Sequence, residues 1–300
     1  MEAPPIYYSH SNSDRWRYTD QWPPSGVNYM TLTLHNNGTL ESDPPSPKES
    51  PLRYVYDPQH PVQTLGGRNL MVPGGSMDQR PVEPPHRTDV LVYTTAKIEK
   101  DVEIAGDVTV VLHASSTAKD TDFIAKLIDV HPDGSSMLVL DGVIRAMYRK
   151  SAREPVPLKP GGIHKFTIHL GDISHVFKAG HRIQVDVTSS NFPRRARNTN
   201  SGNPLYTADT KENIVVATNT IYHDPEHPSY LMLPVLATRM HRLFEGTARI
   251  KTPEGIYEGP CQLYTLPTAA YLHFKNRWMK WRPVETSFEG DAERSRYGGK

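Results

Sequence analysis

The chain has 300 residues, 37% of them hydrophobic, which is enough to bury at least one sizeable core. Its 34 basic and 33 acidic residues give a net charge of +1, so no global field would recruit nucleic acid or an anionic membrane. The single cysteine, Cys261, excludes an intramolecular disulfide and every metal site that needs several cysteines. We therefore expect neither nucleic acid nor a membrane as a partner.

The amino-terminal residues carry no targeting signal. Residues 1–10, MEAPPIYYSH, lack both a basic leader and an apolar core, and no run in the chain approaches the length that spans a bilayer. Because a single cysteine needs no oxidising compartment, we expect a cytoplasmic location.

Proline is especially frequent in the first third of the chain. The 27 prolines are concentrated between Pro4 and Pro85, which makes long helices improbable there. Within this part, residues 29–35 (YMTLTLH) alternate as a strand does, and Asn37-Gly38 is typical of a tight turn. We predict that residues 1–88 form a segment that wraps around the rest of the domain.

From residue 89 onward the pattern becomes regular. Short alternating or apolar runs are separated by turn signals, without helical periodicity, which favours an antiparallel sandwich or barrel over a doubly wound α/β sheet. The ten predicted strands are residues 91–95, 101–106, 108–116, 121–130, 137–140, 143–149, 164–170, 182–190, 213–221 and 229–235.

The clearest strand lies in residues 180–194, GHRIQVDVTSSNFPR. Ile183, Val185 and Val187 alternate with polar residues, which predicts a half-buried strand. Gly180 suits the turn before it, and Pro193 cannot donate to a sheet, so the strand should end near residue 190.

The pattern fades after Leu236. Residues 236–246 (LATRMHRLFEG) suggest one short helix, and residues 271–283 (YLHFKNRWMKWRP) mix aromatic and basic side chains, either as a stacking surface or packed against the sandwich. We predict a domain over residues 1–236, with main strands in 89–236, and a short extension of unknown role over residues 237–300.

Eight sequence pieces, in order and at consistent spacing, carry a family resemblance. They are residues 15–17 with 21–23 (RWR, QWP), 54–58 (YVYDP), 78–81 (DQRP), 89–93 (DVLVY), 115–123 (SSTAKDTDF), 129–134 (DVHPDG), 141–149 (DGVIRAMYR) and 180–194. Residues 4–235 resemble the C-terminal jelly-roll domain of the X-Pro dipeptidyl-peptidase and cocaine esterase (CocE/NonD) group of serine hydrolases. The resemblance implies an all-β jelly-roll sandwich of the galactose-binding-like type.

In that family the jelly roll is the non-catalytic partner of an upstream α/β-hydrolase domain, which carries the Ser-His-Asp triad. This chain has no Gly-x-Ser-x-Gly elbow, and residues 74–78 (GGSMD) lack its second glycine. It also departs from the family at residues 195–197 (RAR), where a single aromatic is usual, and after residue 236. We therefore expect no catalytic residue and no cofactor.

Fourteen histidines invite a metal hypothesis, but none has a ligand spacing such as His-Glu-x-x-His, so no metal site is expected. Asp120, Asp122, Asp133 and Asp141 are scattered over two turns, which argues against a calcium site. A triad made from Ser189 or Ser190 with His181 and Asp186 fails because the last two differ in strand parity.

Contact residues are expected at two places, the aromatic amino-terminal segment and the exit of the strand in residues 180–194. The basic cluster at this exit is either a solvated loop or a docking patch for an acidic surface or carboxylate. The predicted ligand or partner contacts are Trp16, Trp22, Asn191, Phe192, Arg194, Arg195 and Arg197.

Together these features predict a non-catalytic accessory domain of a cocaine-esterase-like acyl or peptidyl hydrolase, alone or as half of a split enzyme, which shapes the substrate cleft. The expected protein partner is an α/β-hydrolase chain or a second copy of this chain. One alternative is a stand-alone module that binds a glycan or another small ligand. A further alternative is a cyclase or isomerase built on this scaffold, working in a dry pocket.

Overall fold

The computed structural model describes residues 6–13, 16–69 and 73–236, and then the stretches 241–252, 255–266, 269–274, 277–280 and 286–289. The chain divides into two compact units, Met1–Leu236 and Ala237–Lys300. Side chains are described in the first unit alone.

Strands are the main regular elements among the described residues of the first unit, and they are joined by loops and short 3-10 turns. The strands among its described residues are β1 (Ile6–Ser9), β2 (Trp16–Thr19), β3 (Val27–Leu34), β4 (Leu40–Glu41), β5 (Leu52–Tyr56), β6 (Leu91–Thr94), β7 (Val102–Ser116), β8 (Asp122–Val130), β9 (Ser136–Arg145), β10 (His164–Phe177), β11 (Arg182–Thr188), β12 (Ala217–Ile221) and β13 (Tyr230–Leu236).

These strands form two main sheets. The larger has the order β4-β3-β13-β7-β12-β5. Strand β10 lies outside this order and pairs with the edge of β7 opposite β13. The smaller has the order β6-β11-β8-β9, and β1 and β2 form a separate hairpin. All strand pairings in the described part of the chain are antiparallel, which confirms the predicted all-β sandwich.

The core fills the space between the two sheets. Strand β7 contributes alternate residues such as Val108, Val110 and Leu112, and β11 contributes Ile183, Val185 and Val187. Phe123 and Phe166 pack across the interior with ring centroids 4.6 Å apart. The period-2 alternation of each strand therefore points one face of each sheet into a shared apolar layer.

The other face of the smaller sheet is covered by the segment between β5 and β6, whose described residues are 57–69 and 73–90. Gln184, Asp186 and Thr188 of β11 lie beneath it and are buried. The Thr188 hydroxyl donates to the Asp89 carbonyl at 2.8 Å. Strand β11 is therefore buried on both faces, and the prediction of a half-buried strand is wrong because this segment excludes water from the polar face.

Some sequence boundaries differ from the structure. Residues 101–106 and 108–116, predicted as two strands, lie in the single strand β7 except for Asp101. Residues 137–140 and the start of the predicted strand 143–149 lie together in β9, which ends at Arg145. Asp141-Gly142 continues β9 instead of forming a turn. A Cβ at position 142 would lie 2.5 Å from the His169 carbonyl oxygen, so glycine there permits close contact with β10.

The second unit contains one antiparallel sheet. Its strands are β14 (His241–Thr252), β15 (Gly255–Leu266), β16 (Ala269–Phe274), β17 (Arg277–Lys280) and β18 (Thr286–Glu289). They have the order β17-β16-β15-β14-β18. The short helix suggested for residues 236–246 is wrong, because residues 241–246 belong to β14. The aromatic-basic run 271–283 spans β16 and β17, and residues 275–276 and 281–283 of it lie outside the described residues.

Within the described ranges, no helix has the length and apolar character that crossing a bilayer requires.

Candidate functional site

A cavity of about 740 Å³ lies at the edge of the sandwich where β9 and β10 face each other. Its apolar wall includes Leu138 and Val139 of β9 and Ile173 of β10. Polar groups from other parts of the chain also reach it, including Arg68 and Asp129. The cavity thus combines an apolar wall with a few convergent polar groups, as small-molecule sites do.

Asp129, near the end of β8, lies beside this cavity and is 1% exposed. His181 Nδ1 is 2.8 Å from its Oδ1, and His175 Nε2 is 3.3 Å from its Oδ2. The Asn12 amide also donates to Oδ2, at 3.1 Å. Burial raises the pKa of Asp129, but the hydrogen bonds from His175 and His181 outweigh that effect and leave the pKa below its ordinary value.

Sheet register explains why these residues meet. Strands β8 and β11 are antiparallel with Val130 opposite Arg182, so the turn that precedes β11 lies next to the loop that follows β8. Gly180 has a φ of +84°, a conformation that favours glycine, and its turn sets His181 beside Asp129. Because the cluster depends on pairing between distant segments, local sequence spacing gave no signal for it.

A Ser-His-Asp chain of hydrogen bonds crosses the same region. The Ser11 hydroxyl lies 2.7 Å from His175 Nδ1, and the opposite ring nitrogen faces Asp129. The Ser11 hydroxyl also lies 3.2 Å from the Ser174 carbonyl, which competes for its proton. Sequence reasoning missed this trio, whose members are up to 164 residues apart.

A second polar group on the cavity wall is Asp141 of β9. Its carboxylate pairs with the Arg194 guanidinium, and the Asn191 amide donates to it at 3.2 Å. A Cβ on Gly67 would lie 2.8 Å from Arg194 Nη1, so glycine at that position leaves room for the ion pair. Two of the predicted contact residues, Asn191 and Arg194, are thus engaged inside the chain, and the Arg194 side chain is 10% exposed.

The other predicted contact residues are more accessible. Trp16 on β2 is 73% exposed, and Phe192 is 42% exposed. Trp22 is half-buried and donates its indole N–H to Asp172 at 2.7 Å. Arg197 is exposed and donates to the Pro58 carbonyl at 3.0 Å.

Arg195 differs from its neighbours because its Nε is buried and has no hydrogen-bond partner among the described residues. The predicted seven-residue contact set is therefore divided between internal partners and the surface. That these residues contact a ligand or partner stays a prediction.

Several side chains considered for a serine triad or a calcium site form hydrogen bonds or ion pairs within the chain. The Ser190 hydroxyl accepts from the Val62 backbone N–H, and Asp186 accepts from Gln184. The four aspartates considered for calcium lie in three different places. Asp120 and Asp122 share a hydrogen-bond donor, the Asn198 amide, whereas Asp133 accepts from Ser135 in an exposed turn and Asp141 pairs with Arg194.

The family model for the X-Pro dipeptidyl-peptidase C-terminal non-catalytic domain matches residues 1–232. The chain belongs to this family. The match ends four residues before the last residue of the first unit. The resemblance carried by the eight sequence pieces is thereby confirmed, and the β-sandwich described above is the fold of this non-catalytic domain.

Relatives of this domain occur within longer hydrolases. Cocaine esterase from Rhodococcus sp. (strain MB1 Bresler) is 40% identical over 233 residues, which cover 74% of this chain and 40% of the relative. An aminopeptidase from a marine sediment Thaumarchaeota archaeon superposes with a TM-score of 0.71 at 28% identity, covering 77% of this chain and 40% of that one. An alpha-amino acid ester hydrolase gives a TM-score of 0.68 at 31% identity, with the same coverage. The chain thus spans about two fifths of the length of these relatives.

Proposed function

We propose that this chain is the non-catalytic accessory part of a cocaine-esterase-like acyl or peptidyl hydrolase and helps to shape its substrate cleft. The observation that carries this proposal is the match of residues 1–232 to a domain that is itself non-catalytic. The relatives named an esterase, an aminopeptidase and an amino acid ester hydrolase suggest the ester and peptide substrate classes. The catalytic triad would belong to an α/β-hydrolase partner, on the same or another chain.

The accessible members of the predicted contact set are the proposed points of contact. Trp16, Phe192 and Arg197 combine exposed aromatic surface with a cation, the residue types enriched in protein interfaces. A jelly-roll topology of the galactose-binding-like type and a cytoplasmic location stay part of this proposal.

The first test measures turnover by the chain itself. We expect no hydrolysis of p-nitrophenyl esters or aminoacyl-anilides, and no labelling by a fluorophosphonate probe. Ser11→Ala is the matched variant, because Ser11 is the serine whose hydroxyl contacts the His175–Asp129 pair. Turnover by the wild-type chain that Ser11→Ala abolishes would overturn the non-catalytic assignment.

The second test addresses the partner. An α/β-hydrolase from the same genome that lacks its own third domain is co-expressed with this chain and separated by size-exclusion chromatography. We expect one complex, weakened by Trp16→Ala or Arg197→Ala and unaffected by Lys165→Ala on exposed β10 surface. Separate elution of the two chains would count against the split-enzyme form of the proposal.

The cavity favours a second candidate function, binding of a small ligand or glycan without a hydrolase. Its mixed wall, with Arg68 and Asp129 beside apolar residues, suits a ligand with both polar and apolar faces. Thermal shift against a glycan and peptide panel tests this candidate, and it fails if no compound raises the melting temperature. A cyclase or isomerase activity built on this scaffold stays a prediction.

A further inference from the structure

Three side chains beside the cavity place nitrogen and oxygen atoms around one small volume. The ligating atoms of Asp129, His131 and His181 all lie within 4.8 Å of one another. His131 Nε2 is 3.7 Å from Asp129 Oδ2, and the His131 and His181 rings have centroids 4.5 Å apart. Ligands about 2.0–2.1 Å from a tetrahedral zinc ion lie about 3.4 Å from one another, so small side-chain rotations would bring the trio to that geometry.

The charge balance of the cluster favours a cation. Asp129 is a buried carboxylate, and burying a charge is costly unless it is paired. In the part of the chain that the structure describes, its polar partners are three histidines and Asn12, and no lysine or arginine forms an ion pair with it. A divalent ion would supply positive charge at this position and bind both imidazoles, and the proton between His181 Nδ1 and Asp129 Oδ1 would move to the other ring nitrogen or to solvent.

We propose that Asp129, His131 and His181 form a site for a divalent metal ion of the zinc class. Imidazole nitrogens with one carboxylate oxygen are a donor set that such ions prefer over the hard cations calcium and magnesium. Three protein ligands leave one position of a tetrahedral ion open, and a water molecule or a small anionic ligand in the cavity would complete the coordination.

Hydrogen bonds from neighbouring residues hold the Asp129 carboxylate in a fixed orientation. His175 and Asn12 both contact the Asp129 Oδ2 atom, which fixes the carboxylate and leaves its Oδ1 directed at His181. The Ser11 hydroxyl holds the other ring nitrogen of His175. Hydrogen bonds of this kind orient ligands in metal sites. The cavity, which Asp129 and His131 line, gives the ion a path from solvent.

A second group of metal-ligating residues provides a control. Asp224, Glu226 and His227 also bring their ligating atoms within 4.8 Å, but they lie in one short turn. Asp224 Oδ1 accepts the backbone N–H groups of Glu226 and His227, both at 3.0 Å, as in an ordinary turn. This group has no buried carboxylate, and we expect no specific binding there.

The test is isothermal titration of the tag-free full chain with zinc chloride after treatment with EDTA. We expect one equivalent to bind, and at least 10-fold weaker binding by His131→Ala and by His181→Ala. His227→Ala should bind as the wild type does. Cobalt(II) gives a second readout, since a tetrahedral site produces intense visible absorption that both cluster variants should lose.

His131→Ala is the decisive variant because its side chain is half exposed, so that it tests the site even if Asp129→Asn fails to fold. Circular dichroism confirms that each variant is folded. The proposal is overturned if the wild-type chain takes up no zinc at concentrations up to about 100 µM. It is equally overturned if His131→Ala binds as tightly as the wild type, or if His227→Ala alone loses binding.

Discussion

The ammonium group of Lys126 on β8 donates a 2.8 Å hydrogen bond to the side-chain oxygen of Gln79, in the segment that covers the smaller sheet. Lys126 is 2% exposed, and the side chains of Glu83 and Asp186 lie near it. Burial lowers the pKa of Lys126, and burial together with the Glu83 carboxylate raises the pKa of Asp186 well above its ordinary value. This network joins the covering segment to the sheet.

Lys126→Met should destabilise the first unit by about 3–5 kcal/mol, because it leaves the buried acidic groups without their cation while keeping most of the side-chain volume. Urea unfolding followed by fluorescence measures the loss. Lys178→Met is the matched control, since Lys178 pairs with Asp101 on the surface, and it should change the free energy of unfolding by less than about 1 kcal/mol. Equal losses in the two variants would contradict a buried role for Lys126.

The arginines after β11 should differ in how much they contribute to the free energy of unfolding. Arg194→Met removes the guanidinium that pairs with the buried Asp141 carboxylate and leaves the Asn191 amide as its side-chain hydrogen-bond donor in the described part of the chain, so it should cost about 3–5 kcal/mol of stability. Arg197→Met removes an exposed side chain and one hydrogen bond to a carbonyl, and should cost about 1 kcal/mol or less. Thermal unfolding of both variants tests this order, and a larger loss for Arg197→Met would reverse it.

His223 should make stability depend on pH. It is fully buried, with Nε2 3.0 Å from the Tyr93 hydroxyl, and burial lowers its pKa to about 4. An unfolded histidine has a pKa of about 6.5, so the unfolded chain binds the extra proton between these values and stability falls as pH drops from about 6.5 to about 4. The full effect, reached below about pH 4, is about 3–4 kcal/mol.

His223→Gln keeps a polar side chain but removes this titration. Between pH 7 and pH 4 the wild type should therefore lose about 2–3 kcal/mol more than His223→Gln, measured by urea unfolding at each pH. Carboxylates shared by both proteins cancel in the difference. Parallel pH profiles would show that His223 is not the group responsible.

Gly142→Ala should destabilise the contact between β9 and β10 by about 1–3 kcal/mol, because the new methyl group would meet the backbone of His169 and Leu170. Gly134→Ala is the comparison: its φ of +85° brings strain but no atom lies within 4 Å of the new Cβ, so about 1 kcal/mol is expected. Hydrogen exchange should show faster opening of β10 in Gly142→Ala alone. Unchanged exchange there would contradict the close contact.

The sequence predicted strands well where apolar residues alternate with polar ones and one face of the strand is buried. Strand β11 shows the limit, since Gln184 and Asp186 are polar yet buried, and only the covering segment reveals why. Asp141-Gly142 shows another limit: the pair has the composition of a turn, but Arg194 neutralises the aspartate and β10 approaches the glycine. Both errors arise because local patterns do not report what packs against a strand.

The candidate site was less predictable than the fold. Asp129 and His181 are 52 residues apart, and Asn12 lies 117 residues from Asp129. Their meeting depends on the antiparallel register of β8 and β11 and on the position of the amino-terminal hairpin. Asp129 and His131 are two residues apart, but no local spacing rule for metal ligands reaches His181, so the sequence shows only part of the cluster.

The pairing of β3 with β13 in the larger sheet implies that the chain tolerates a break in its backbone after β4. The loop at residues 41–48 is largely exposed, and trypsin cuts after lysines such as Lys48. After limited cleavage there, β3 of the amino-terminal fragment should still pair with β13 of the other fragment, and Trp22 should still donate to Asp172. The two fragments should therefore remain a non-covalent complex, which elutes as one peak from a gel-filtration column and separates only in denaturant.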